Sequence, residues 1–181
     1  MKLVLIDRDG VINEEIEGFI TSPDALNVLK PAIEALALLT KAGFTCVICT
    51  NQSVVGRGII DEPMLNRIHD KLRGLVQAGG GAIADIFFCA DHPDQPTYRR
   101  KPRPGMLIEA MEKYKAAPES TPFIGDALTD LRAAHEAGCK RYLVMTGKGR
   151  KTMEKLPDEL RPVAIFKDLL EAAQAIVREA Q

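Results

Sequence analysis

Four short stretches of this chain carry side chains that could do chemistry together. They are Asp7-Arg8-Asp9-Gly10, Thr50-Asn51-Gln52-Ser53, Arg99-Arg100-Lys101-Pro102, and Gly125-Asp126 followed by Asp130. Asp7 and Asp9 lie two apart, so in an extended chain both face one pocket. Adding Asp126 and Asp130 brings up to four carboxylates to one place, and like charges that close cannot all stay ionised without a cation. Oxygen-donor acids with no His or Cys cluster among them suit a hard ion, Mg²⁺ first. Thr50, Asn51 and Lys101 add a hydroxyl, an amide and a positive charge for an anion bound beside the metal. Metal, Lys and donors are the equipment of phosphoryl transfer, where catalysis is largely positioning and charge neutralisation. Taken singly, an Asp after a strand is more often a helix cap or turn residue, and a lone Lys is more often a solvated surface charge. The joint pattern favours the functional reading for Asp7, Asp9, Lys101 and Asp126. Asp130, placed to open a helix, is retained as a supporting residue.

The elements that must position these groups are legible as alternating patterns. Apolar, β-rich runs occur at Leu3–Ile6, Phe44–Cys49, Ile83–Cys89, Pro122–Ile124, Arg141–Met145 and Val163–Phe166. Helical patterns lie between and after them at Pro31–Ala42, Glu62–Gln77, Pro104–Lys115, Asp130–Ala137 and Asp168–Glu179. Pro31 suits a first helical turn, and Gly43 and Gly138 sit where helices would stop. Strands that are apolar throughout are expected when helices cover both sheet faces. The pattern predicts an α/β, doubly wound, mostly parallel sheet with right-handed crossovers. Ligands bind at the carboxyl ends of the strands in such a sheet. That is where the first, second and fourth runs deliver Asp7, Thr50 and Asp126.

Length and composition bound the rest. The 181 residues suit one domain, 1–181, with no linker, repeat or low-complexity tract to divide it. A chain of this size buries roughly 70% of its unfolded surface, so it needs no metal or disulfide to fold. Lys plus Arg number 24 against 25 Asp plus Glu, a net charge of −1 that gives no electrostatic reason to expect nucleic acid or an anionic membrane as partner. No apolar run reaches transmembrane length, and the N-terminus turns acidic too early for a signal peptide. A cytoplasmic monomer is the expectation. The four cysteines, Cys46, Cys49, Cys89 and Cys139, sit mostly in apolar runs and read as reduced and buried. Cys46 and Cys49, three apart on a strand, point to opposite faces, so packing is favoured over redox or zinc chemistry.

Asp7-Arg8-Asp9-Gly10-Val11, Thr50-Asn51-Gln52-Ser53, Arg100-Lys101-Pro102 with Pro104-Gly105-Met106, and Gly125-Asp126 with Asp130 occur in order over most of the chain. Together they resemble the four motifs of the haloacid dehalogenase-like (HAD) phosphatases. The wording of the first three narrows the resemblance to the heptose 1,7-bisphosphate 7-phosphatases and the related histidinol-phosphate phosphatases. The resemblance implies that Asp7 is the nucleophile, forming an aspartyl-phosphate, and that Asp9 is the acid and then the base. It implies Mg²⁺ on the side chains of Asp7 and Asp126 and the carbonyl of Asp9, and a phosphoryl group held by Thr50 and Lys101. Asn51, Gln52, Ser53, Arg57 and Arg100 would contact the substrate, which the resemblance implies is a small phosphorylated sugar. A planar Arg fork suits a second phosphate and Lys a point charge.

Two departures from that family qualify the expectation. Its members commonly carry a zinc loop of Cys-x-His followed by Cys-x-Cys, whereas here Cys89-Ala90-Asp91-His92-Pro93 has no second cysteine pair before Arg100. Two ligands do not make a tetrahedral structural site, so no zinc is expected. Ala127 stands where relatives often place a Lys. Between Asp9 and the next helix the chain is too short for a separate cap domain, so loops Gly18–Asp24 and Asp91–Arg100 are expected to select the substrate over an open site. Gly147-Lys148-Gly149-Arg150-Lys151-Thr152 lacks P-loop spacing and reads as a solvated turn, and Gly79-Gly80-Gly81 as a flexible connection. Three alternatives stay open: histidinol phosphate as substrate, a phospho-receiver signalling domain, and a polynucleotide 3′-phosphatase, which would need a basic groove.

Overall fold

The computed structural model describes residues 1–180. Six strands form one sheet, every adjacent pair parallel, in the order β3-β2-β1-β4-β5-β6. They are β1 (Leu3–Ile6), β2 (Thr45–Asn51), β3 (Asp85–Cys89), β4 (Pro122–Gly125), β5 (Lys140–Val144) and β6 (Ala164–Phe166). The helices are α1 (Lys30–Lys41), α2 (Ser53–Gly56), α3 (Glu62–Ala78), α4 (Gly105–Tyr114), α5 (Leu128–Glu136), α6 (Gly149–Glu154) and α7 (Leu169–Glu179).

Side-chain alternation along the strands sorts the core into two layers. Val4, Ile6, Cys46 and Ile48 face α1, α3 and α7, packing on Leu36, Ile68, Leu72 and Ile176. Leu3, Leu5, Val47 and Cys49 face α4 and α5, packing on Met106, Leu107, Ala110 and Ala134. The two cysteines thus fall in different layers, as their spacing requires. The strand order also bears on the receiver alternative. Here the order reverses between β1 and β4, the doubly wound arrangement in which the crevice opens at that switch point. The acidic motifs leave β1 and β4 at that crevice, whereas the flavodoxin-like order 2-1-3-4-5 places its switch elsewhere.

The differences from the sequence expectation are local. β2 continues through Thr50 and Asn51, because Asn51 still pairs with Cys89 on β3. The four-residue α2 and six-residue α6 are too short to leave a helical period in the sequence. Gly147–Thr152, expected as a solvated turn, instead passes into α6, with Gly149 and Thr152 buried. The triple glycine is not a loose connection. A Cβ on Gly79 would lie 2.1 Å from Ile33 Cγ2, and one on Gly81 would lie 2.9 Å from the Ala37 nitrogen. Glycine there allows the end of α3 to close onto α1.

Candidate active site

The carboxyl edge of β1, β2 and β4 opens into a cavity of about 360 Å³, within the range of small-molecule sites. Asp7, Asp9, Thr50, Asn51, Gln52, Ser53, Arg100, Lys101, Asp126 and Asp130 all line it. Ala127 is there too, and its methyl adds no charge. Arg57 stands outside the lining. It is exposed, with Nε 3.4 Å from Ser53 Oγ and its guanidinium over the Phe19 ring. Of the two expected selectivity loops, the first contributes Gly18, Phe19 and Ile20, while the second contributes only Arg100, whose Nη1 donates to the Asp91 carbonyl.

The centre of the site is a buried charge cluster. Lys101, 3% exposed, places Nζ 2.8 Å from Asp7 Oδ1 and 2.6 Å from Asp130 Oδ1. Burial alone would lower the pKa of Lys101, but Asp130 and Asp7 outweigh it and keep the ammonium charged. The segment before α4 is fixed by a reciprocal pair. Asn51 Nδ2 donates to the Lys101 carbonyl at 3.0 Å, and the Lys101 N–H donates to Asn51 Oδ1 at 3.1 Å. Asn51 therefore ties the end of β2 to Lys101. Asp130 serves in two roles at once. Its Oδ2 accepts from the N–H groups of Asp126 and Ala127 at 3.2 and 3.0 Å, capping α5, while its Oδ1 holds Lys101.

Asp9 is held differently. Arg8 Nε and Nη2, Asn13 Nδ2 and Gln52 Nε2 all donate to its carboxylate. Burial would raise its pKa, but the Arg8 charge and these hydrogen bonds outweigh burial and hold the carboxyl below its ordinary range. Gln52 also donates to Thr50 Oγ1 at 2.9 Å and accepts from Arg8. Its amide is thus committed to neighbouring protein groups. Thr50 accepts from Gln52 and keeps its hydroxyl proton to donate.

Two functional positions were not singled out in the sequence. Arg8, between the two motif aspartates, is 1% exposed; an extended chain would have pointed it away from the site. Lys148 lines the cavity, donates its N–H to Asp126 Oδ2 at 2.7 Å and pairs with Glu15 at 2.5 Å. Its signal was its place just past the fifth apolar run, on the same sheet edge. Gly147 permits this approach, since a Cβ there would lie 2.1 Å from Asp126 Oδ2.

The residues present fit a divalent cation. Carboxylate oxygens of Asp7, Asp126 and Asp130 lie within 4.8 Å of one another. Both Asp130 oxygens already have protein partners, whereas Asp7 and Asp126 each keep one oxygen without a hydrogen-bonding partner among the described residues. No backbone N–H in that set donates to the Asp9 carbonyl. Burial, then the charge of Asp130, pushes the pKa of Asp7 up to about 7 and that of Asp126 to about 8, from 3.8. Between about pH 5 and pH 8 these two carboxyls hold more protons in the folded, metal-free protein than in the unfolded chain, outweighing the one proton that buried His69 gives up on folding, so stability falls as pH rises. The metal-free melting temperature is expected to be lower at about pH 8 than at about pH 5.5, and millimolar Mg²⁺ to raise it more at the higher pH. Thermal unfolding with and without chelator checks this, and a metal-free melting temperature that does not fall over that interval would contradict it.

His92 Nδ1 accepts from the Asp94 N–H at 3.2 Å, and Cys89 is buried at the end of β3.

Comparison with known proteins agrees with this geometry. A HAD-hydrolase-like family model matches residues 98–172. The D-glycero-beta-D-manno-heptose-1,7-bisphosphate 7-phosphatase of Bordetella bronchiseptica is 41% identical over 99% of this chain and 100% of its own. That of Pseudomonas aeruginosa is 40% identical over 97% and 98%. The solved D,D-heptose 1,7-bisphosphate phosphatase from B. bronchiseptica, complexed with magnesium and phosphate, superposes with a TM-score of 0.94 at 40% identity, covering 99% of both chains. Full-length similarity at that level, with all four motifs gathered on one cavity, places the chain among the haloacid dehalogenase-like phosphatases, the family to which it belongs.

Proposed function

We propose that this phosphatase removes the 7-phosphate of D-glycero-β-D-manno-heptose 1,7-bisphosphate through an aspartyl-phosphate on Asp7, with Mg²⁺ as its cofactor and without zinc. The observation that carries the reading is the Asp7–Lys101–Asp126 cluster in a cavity whose lining also holds the cations Arg8, Arg100 and Lys148. The names of the full-length relatives support the sugar and its anomer.

In the first half-reaction an Asp7 oxygen attacks phosphorus and the bond from phosphorus to the sugar oxygen breaks. Asp9 gives that oxygen a proton, so the sugar leaves as an alcohol. Asp9 is ionised in the free protein; the anionic phosphoryl group arriving beside it raises its affinity for the proton it then transfers. In the second half-reaction water attacks the aspartyl-phosphate and Asp9 takes its proton. Inorganic phosphate departs and the Asp7 carboxylate is restored. Lys101 and the Thr50 hydroxyl hold the phosphoryl oxygens, with Lys101 supplying a fixed positive charge that needs no reorganisation during reaction. Mg²⁺ would be held by Asp7, Asp126 and the Asp9 carbonyl, and when bound it neutralises charge on the transferring group. Asp130 keeps Lys101 aimed, and Asn51 and Gln52 brace Lys101, Asp9 and Thr50. Ser53 and Arg100 line the cavity and contact the rest of the substrate, while Arg57, outside the lining, reaches it only through Ser53. With Ala127 uncharged and Arg8 committed to Asp9, Arg100 and Lys148 are the lining cations left for a second phosphate.

That pairing separates the heptose bisphosphate from histidinol phosphate, whose remote group is an ammonium. The kcat/KM for the β-heptose bisphosphate is expected to exceed that for histidinol phosphate by at least about 100-fold, or about 2.7 kcal/mol of transition-state binding. Phosphate release with each substrate and Mg²⁺ measures it. A preference for histidinol phosphate would overturn the assignment.

A further inference from the structure

Arg8 is the second residue of the Asp-Arg-Asp-Gly motif, and neither half-reaction above uses it. It is one of the largest fully buried side chains in the protein. Burying a guanidinium costs several kcal/mol unless its donors find partners, and here the partners belong to one network. Nε and Nη2 reach Asp9 Oδ1 at 3.1 and 2.9 Å, and Nη2 also lies 3.1 Å from Asp9 Oδ2. Nη2 is 3.1 Å from Gln52 Oε1 as well. On the far side, Nη1 lies 3.1 Å from His69 Nε2.

An arginine can only donate, so His69 Nε2 must accept. His69 is therefore a neutral ring with its proton on Nδ1. Burial and the adjacent Arg8 charge, which push its pKa down to about 3, are consistent with that form. The ring is 2% exposed and stands against Phe88, with centroids 5.9 Å apart. It is fixed on α3, an element that brings no residue to the cavity lining. Asn13 gives a second sign that Asp9 is deliberately held. This buried side chain donates Nδ2 to Asp9 Oδ1 at 2.9 Å, although its own Oδ1 has no partner. Such an unsatisfied buried acceptor is costly. Turning the amide over would place that acceptor against the Asp9 carboxylate.

We infer that Arg8, anchored by His69, is a positioning residue for the acid–base step: its fork fixes where the Asp9 carboxylate stands relative to the leaving oxygen and the attacking water. α3 thereby supports catalysis without touching substrate. The inference rests on the acid–base role proposed for Asp9.

Arg8→Lys keeps the charge and loses the fork. It is expected to lower kcat on a sugar phosphate by about 100-fold with KM within about 3-fold. With p-nitrophenyl phosphate, whose phenolate leaves without a proton, the first half-reaction needs no acid while the second still needs a base. The variant should then release a burst of about one equivalent of p-nitrophenolate per site before a slow steady state. His69→Gln, which retains an acceptor, should keep activity within about 3-fold, whereas His69→Leu should behave as Arg8→Lys does. In the Asp9→Asn background, adding Arg8→Lys should change the residual rate by no more than about 2-fold, because the group it positions is gone. Losses that multiply in the double variant, or an absent burst in Arg8→Lys, would overturn the inference. If Asp9→Asn alone were as active as the unaltered protein, the acid–base assignment would fail together with this one. Far-ultraviolet circular dichroism of each variant separates these outcomes from loss of fold.

Discussion

Asp7→Asn is expected to abolish turnover, with kcat falling on the order of 10⁴-fold or more, while the fold persists. Asparagine has the size and shape of aspartate, so it fills the same space at the end of β1. Its amide nitrogen does not attack phosphorus, and no phosphoenzyme can form. Lys101 keeps Asp130 at 2.6 Å as a charged partner, so its ammonium is not left alone. Burial and the neighbouring Asp130 push the pKa of Asp7 up to about 7. Above that pH the unaltered residue is a destabilising anion in the metal-free protein, and the substitution removes it. The sign follows from linkage: a carboxyl whose pKa is raised on folding lowers stability as pH climbs from its unfolded value through its folded one. Asp7→Asn should therefore melt no lower than the unaltered protein at about pH 8 without metal. Phosphate release, and acid-quench trapping of labelled phosphoenzyme, measure the catalytic part. A variant that kept a tenth of the activity would rule out Asp7 as nucleophile.

The parts of this site that were legible in the sequence are those dictated by sheet geometry. Apolar runs buried on both faces announce a parallel sheet, and a parallel sheet collects whatever follows its strands at one edge. Asp7, Thr50 and Asp126 could be placed together on that ground alone, before any distance was available. Lys101 could not, because it follows no strand. Its position depends on the reciprocal Asn51 pairing, a long-range contact with no periodic signature. Arg8 carried no sequence signal for a related reason. Strand alternation predicts that it points away from Asp7 and Asp9, but β1 ends at Ile6. The chain then turns so that the N–H groups of Val11, Ile12 and Asn13 all donate to the Arg8 carbonyl. Once the strand ends, alternation no longer governs, and the guanidinium is free to fold back onto Asp9. The glycines misled in the opposite sense. Gly79, Gly81 and Gly147 looked like loose chain, yet each is small because another atom occupies the space a Cβ would need.

Lys101→Met should have the largest effect on stability. Lys101 sits between Asp7 and Asp130 and 5.2 Å above the Phe123 ring, so methionine matches its apolar stem and surroundings. What disappears is, among the described residues, the only side-chain cation within salt-bridge distance of two buried carboxyls. Removing one partner of a buried pair leaves an uncompensated charge and costs about 3–5 kcal/mol, more than the pair itself contributes. For a chain of this length that corresponds to roughly 2–4 °C of melting temperature per kcal/mol. The loss should grow with pH, since acid protonates the stranded carboxyls and relieves the repulsion. It should shrink in millimolar Mg²⁺, which supplies positive charge to Asp7. Replacing Asp130 by Asn in the same chain removes one of the stranded charges. The Asn oxygen can still cap the N–H groups of Asp126 and Ala127, so Lys101→Met with Asp130→Asn should recover at least about 1 kcal/mol. Activity should not recover with stability, because the phosphoryl group has lost its fixed cation, a loss of about 10²–10³ in kcat. Urea unfolding at two pH values, beside kcat with saturating Mg²⁺, measures both effects. Were Lys101→Met as stable as the unaltered protein at about pH 8 without metal, the carboxyl cluster could not be carrying the unbalanced charge that makes it a cation site.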